Sequence, residues 1–231
     1  MPAAIRRSLV SDQVFHALCE GILGGRYEPG EKLPTQRALA ADMSVNMAPV
    51  REAVKRLEQL NLVEVRHGDG MRVSDWRTDG GLDVAAHLLF AAGGVDRSMM
   101  AALLEARRLM LTEAARLAAE RRTDDQAAEL DALASRIAEA PGDSAAQLLD
   151  LAFMTELVEA SGNVVFVLIL NTVRRIYLEN AERLSAVAAP DLAPLYARAA
   201  RAVRDGAAGR AAGAVSKLAG EQEQRLIASL R

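Results

Sequence analysis

RALAADMSVNMAPVREAVKRLEQLNLVEVRHGDGMRV, residues 37–73, reads as a short helix, a turn, a longer helix and a hairpin. Thr35 is the N-cap candidate for the first helix, QRALAADM, which is expected to bury Ala38, Leu39 and Met43. Asn46 caps the second, which runs to Leu60 with Pro49 in its first turn, where a missing N–H costs little. Val50, Ala53, Val54, Leu57 and Leu60 recur at helical spacing and form its buried stripe. LVEVR and MRVS then alternate as short strands around HGDG, whose glycines can take positive φ. Two helices joined by a tight turn, the second amphipathic and Arg-bearing, followed by a hairpin, make the winged helix-turn-helix pattern.

Upstream, a first helix is expected from the N-cap candidate Ser11 to Gly24 and Gly25, with Val14, Leu18 and Ile22 as its apolar stripe. RYEPGEKLP makes a turn at Pro29–Gly30 and anchors on Leu33. Downstream, SDWRTDGGLD reads as a linker in which Trp76 packs on one domain. Beyond it the pattern is helical throughout, with helices near 81–92, 96–121, 123–140, 144–161, 163–187, 191–205 and 207–230. The fold class is therefore mainly α: a winged helix-turn-helix over 1–75, a linker over 76–82 and an all-α bundle over 83–231.

Composition narrows the function classes. Of 231 residues 51 % are hydrophobic but only 3 % aromatic, which favours helices. The longest apolar run, VVFVLIL at 164–170, falls well short of the ~18 residues of a membrane span. The opening MPAAIRRSLVSDQ lacks a signal-peptide core, and the single Cys19 fits a reducing compartment, so a cytoplasmic protein without membrane partners is expected. Net charge is −3, and residues 1–75 carry ten basic and ten acidic side chains. Bulk charge does not announce nucleic acid; placement of the arginines must.

YEPGEKLPTQRALAADMSVNMAPVREAVKRLEQLNLVEVRHGDGMRV resembles the DNA-binding domain of the GntR family of bacterial repressors, over residues 9–73. The shared frame is G-x-x-L-P-[ST]-x-R-x-L-A, then V-[NS]-x-x-P-V-R-E-A-[VL]-x-R-L, then a wing ending in G-x-G. The resemblance implies that Arg37 contacts phosphate, that Asn46 opens the recognition helix with Arg51 further along it, and that His67 at the wing tip enters the minor groove. Arg56 and Arg72 join them as candidate DNA contacts. A guanidinium on the recognition helix can bridge guanine O6 and N7. Where the family usually has Arg followed by Thr or Ser, this chain has Met47–Ala48. Either Met47 meets a thymine methyl and the operator is richer in A·T there, or Met47 packs and Arg51 carries the guanine contact alone.

The remainder is similar to the FadR-type (FCD) effector domain of the same family. LEARRLMLTEAARLAAER at 104–121, LLDLAFMTELVEASGN at 148–163 and YARAARAVRDGAAGRAA at 196–212 carry the likeness. Many members of that class bind a divalent metal through one Asp and three His. Here the first motif reads Asp150-Leu151-Ala152-Phe153-Met154, the next histidine position is Tyr196 and the last falls near Leu218. The three histidines, His16, His67 and His87, occupy none of these positions, so no metal and no other cofactor is expected. An effector would then be held by arginines and apolar contacts. Arg107, Asp150, Met154, Arg174, Tyr196 and Leu218 are the candidates, and a fatty acid or acyl-CoA the candidate ligand.

The expectation is a ligand-responsive repressor that binds operator DNA as a homodimer, since winged heads read paired half-sites. The alternative is a bundle that only dimerises the head and has lost small-molecule sensing. With no nucleophile, phosphate loop or metal set, an enzyme is not expected.

Overall fold

The computed structural model describes residues 3–66, 68–90, 94–179 and 190–230. The chain divides into two compact units, residues 1–96 and 97–231. No helix of the described residues is long and apolar enough to cross a membrane.

In the first unit, α1 (Ala3–Leu23) begins eight residues before the expected cap. Ser11 is thus an interior helix residue, 1 % exposed. Thr35 caps α2 (Gln36–Asp42) as expected, its hydroxyl accepting from the Ala38 N–H at 3.2 Å. Ala40 is buried beside Leu39, while Ala38 is only half-buried. Ser44 takes φ +54 to turn the chain into α3 (Met47–Gln59). Val50, Ala53, Val54 and Leu57 of α3 face α1, whose Val14, Phe15, Leu18 and Ile22 complete the core.

Asn61 closes α3 at φ +54, a conformation Asn tolerates better than most residues. Strands β1 (Val63–Arg66) and β2 (Gly70–Val73) pair antiparallel in the register Val63↔Val73 and Arg66↔Gly70. Residues 30–33 line the other edge of β2, with Leu33 N–H donating to the Met71 carbonyl and Val73 N–H to that of Glu31. Two short helices follow, α4 (Trp76–Asp79) and α5 (Asp83–Leu89). Trp76 packs on the head core. Helix α5, expected to open the bundle, also packs there: Val84 is in that core and the His87 ring lies 5.1 Å from Phe15.

The second unit is helical: α6 (Arg97–Arg121), α7 (Asp124–Ala138), α8 (Asp143–Ala160), α9 (Val164–Glu179), a 3-10 turn at Pro190–Leu192, α10 (Ala193–Arg204) and α11 (Ala208–Ser229). Buried alanines on α6 (Ala114, Ala115, Ala118) and α11 (Ala211, Ala214) let these two helices pack closely. Arg122 ties helix ends together, donating to the carbonyls of Ala119 at 2.7 Å and Arg204 at 2.6 Å. A reciprocal cap starts α7: Gln126 N–H donates to the Thr123 hydroxyl, and Thr123 N–H to the Gln126 side chain.

Removing that hydroxyl with Thr123→Ala is expected to destabilise the bundle by about 1 kcal/mol. A drop of roughly 3 °C in the thermal midpoint, read by far-UV circular dichroism, would accompany it.

Candidate nucleic-acid interface and buried polar cluster

On the head, α3 distributes its arginines between two faces. Met47 and Arg51 are four residues apart and share one face; Arg56, five residues beyond Arg51, lies about 140° around the helix. Arg51 is exposed, as are Asn46, Ala48 and Arg37 at the start of α2. Neither Arg37 nor Arg51 has a hydrogen-bond or ion-pair partner among the described residues. Asn46 occupies the N-cap of α3 in extended geometry, but its side chain makes no capping bond. Met47 is half-buried, its side chain packed against the head core.

Arg56, a candidate DNA contact, is engaged within the head. Its guanidinium bonds Asp12 of α1 at 2.5 Å and lies 4.0 Å over the Phe15 ring. The arginine spends its charge holding α3 to α1, because its place on the helix turns it inward.

Arg72 is likewise engaged within the wing. It donates from Nε to Asp69 Oδ2 at 2.9 Å and from Nη1 to the Gly30 carbonyl at 3.1 Å. Lys32 Nζ reaches Asp69 Oδ1 at 3.2 Å. These two cations, Arg72 foremost, hold the Asp69 carboxyl down at about 2. Gly70 sits at φ +93, the left-handed region that favours glycine, and a would-be Cβ there would crowd Lys32 Cε at 3.2 Å. Arg66 pairs with Glu64 at 2.8 Å on the exposed side of β1. His67, the expected wing-tip contact, lies outside the described residues.

In the bundle, Asp150 of α8 is 4 % exposed. Its Oδ1 accepts from the Tyr196 hydroxyl of α10 at 2.7 Å and from Gln222 Nε2 of α11 at 2.9 Å. Gln222 Nε2 also lies 2.7 Å from the Tyr196 oxygen. Arg107 of α6 donates to Gln222 Oε1 at 3.0 Å and stands 3.9 Å from Asp150 Oδ2. Four helices thus meet at one cluster. Burial first, then the adjacent Asp150 carboxylate, pushes the Tyr196 phenol far above its ordinary range, so it stays a donor.

Of the candidate effector residues, Asp150, Tyr196 and Arg107 come together. Met154 and Leu218, 2 % and 0 % exposed, pack in the surrounding core. Arg174 lies half-buried on α9 and has no bond to the cluster among the described residues. Gln222 was not anticipated, although the sequence marks it: Ala211, Val215, Leu218, Gln222 and Leu226 form one stripe of α11 with a single polar member.

The donors here do not suit the divalent metal of the wider class. One carboxylate with its oxygens already engaged, a neutral phenol, an amide and a thioether are not a zinc-type ligand set. Among the described residues no three His, Cys, Asp or Glu side chains converge.

Comparison with known proteins agrees with both units. Residues 10–73 match the model for bacterial regulatory proteins of the gntR family, and residues 102–219 match the FCD domain. The HTH-type transcriptional regulator Mce2R of Mycobacterium tuberculosis is 38 % identical over 174 residues, covering 75 % of this chain and 72 % of that one. A fatty acid metabolism regulator protein of Klebsiella pneumoniae is 29 % identical, covering 69 % of this chain and 66 % of its own length. Among solved structures, Lar, described as controlling expression of the Listeria monocytogenes agr system, shares the fold with a TM-score of 0.54. It is 16 % identical and covers 94 % of this chain and 95 % of its own. With a gntR-type winged helix followed by an FCD domain, this chain belongs to the GntR family of bacterial regulatory proteins, whose members are DNA-binding transcriptional regulators rather than enzymes.

Proposed function

We propose that the chain is a homodimeric repressor that binds paired operator half-sites and is controlled by a small molecule acting on the FCD unit. The observation that carries the operator reading is the exposed face of α3, where the Arg51 side chain has no partner among the described residues while Arg56 bonds Asp12. Arg37, exposed at the start of α2, would take phosphate, Asn46 and Arg66 would extend the surface, and the His67 implied by the family resemblance would join them. Asn46 and Arg51 would reach base edges in the major groove. The half-buried Met47 favours the reading in which it packs and leaves the guanine contact to Arg51. A cytoplasmic location suits this role.

For the effector, the likeness to a fatty acid metabolism regulator supports a fatty acid or acyl-CoA. The cluster of Asp150, Tyr196, Gln222 and Arg107 weighs on the other side. Its polar atoms satisfy one another inside the core, so a ligand there must first displace them. This closure is what favours the second reading, a bundle that dimerises the head without sensing a fatty acyl group.

Fluorescence anisotropy on an operator obtained by sequence selection tests the proposal. Arg51→Ala is expected to weaken binding by about 10- to 100-fold and relax the preference at one base pair. Arg56→Ala is expected to lower the head's thermal midpoint first. Unchanged selectivity in Arg51→Ala would remove the operator reading of α3. Release of DNA by a long-chain acyl-CoA supports the fatty-acyl sensor; continued binding, with Arg51 still essential, supports the second reading. Elemental analysis of purified protein is expected to show no stoichiometric zinc or nickel, and a chelator to leave the thermal midpoint in place.

A further inference from the structure

The polar groups at the bundle centre are spent on one another, whereas a row of cations on its outside is not. Helices α10 and α11 fold back on each other through the turn at Asp205–Ala207, and an open-sided groove of ≈ 600 Å³ runs between them. Its walls carry Arg198 and Arg201 from α10 and Arg210 and Lys217 from α11. The acid in the lining is Asp205 at the turn end, 3.6 Å from Arg210 and 3.6 Å from Arg204. Arg198, Arg201 and Lys217 have no hydrogen-bond or ion-pair partner among the described residues. In a chain of net charge −3, this is a concentrated departure from the average.

The floor is as informative as the walls. Ala202 and Ala214 line it, and a Cβ at Gly213 would meet nothing within 4 Å, so a ligand can approach the helix backbones. Arg198 and Arg201 are three residues apart on α10; Arg210, Gly213 and Lys217 follow at three and four on α11, so each set shares one face. Along the axis the cations span about 10 Å, room for two adjacent phosphates, and beyond them Pro194 and Leu195 offer an apolar end. The planar guanidinium matches phosphate in a bidentate manner, and Lys217 adds a point charge. A single carboxylate would leave most of these cations unused.

We propose that this groove binds an organic diphosphate, with the phosphates between Arg198, Arg201, Arg210 and Lys217 and the organic body on Pro194 and Leu195. The site is distinct from the cluster around Asp150 and does not depend on the operator or fatty-acyl reading.

Isothermal titration calorimetry on the full chain, without DNA or fatty acid, tests it with ADP, coenzyme A and inorganic pyrophosphate. Saturable one-site binding of ADP or coenzyme A, tighter than pyrophosphate and weakened by added salt, is expected. ADP and coenzyme A binding alike would make the shared adenosine diphosphate portion sufficient. Coenzyme A alone would place its extended arm on the apolar end, and ADP alone would assign a free nucleotide. The double variant Arg198→Glu/Lys217→Glu is expected to weaken binding by about tenfold or more, with its ligand-free thermal midpoint unchanged. Should that variant unfold, Arg201→Gln is expected to show a smaller loss in the same direction. Absence of saturable binding, or equal affinity in a folded variant, would overturn the site. Pyrophosphate binding as tightly as both organic ligands would overturn the role of the apolar end.

Discussion

An ionised carboxylate taken out of water costs several kcal/mol unless its oxygens are bonded, and Asp150 is placed where four helices converge. The second unit is arranged around meeting that demand. Tyr196 from α10 and Gln222 from α11 donate to one oxygen, and Arg107 from α6 supplies the positive charge near the other. None of these partners comes from α8 itself, so satisfying Asp150 fixes how α6, α10 and α11 sit around it.

The head shows the same economy. On α3 the helical repeat sends Arg51 outward and Arg56 inward, so one arginine remains available while the other bonds Asp12 and stacks on Phe15. Phe15 also meets His87, which brings α5 onto the surface of α1. The first helix is therefore more than a lid on the core. It holds the outward-facing helix from one side and the segment leading toward the bundle from another.

Much of this was legible from residue pattern. The Thr35 cap, the α3 stripe and the hairpin glycines each have a local cause, and each formed where expected. The described helices of the second unit followed from their spacing and breaks, while the expected run over 180–187 lies outside the described residues. What escaped depends on partners far along the chain. Ser11 looks like a cap by type, but the helix runs through it and its side chain is buried. Arg56 and Arg72 look like free basic side chains until Asp12 and Asp69 are placed beside them. Gln222 was passed over because family spacing pointed one turn earlier, to Leu218, whereas the buried carboxylate needs a donor and Leu has none. Helix α5 has too short a stripe to announce which core it joins.

The brace of Lys32, Asp69 and Arg72 fixes the hairpin turn to residues 30–33 before anything binds. A loop of that size left loose would surrender conformational entropy on docking; this one has already surrendered it during folding. Because the three side chains are partly exposed, salt would screen the brace and return some of that entropy to residues 68–70.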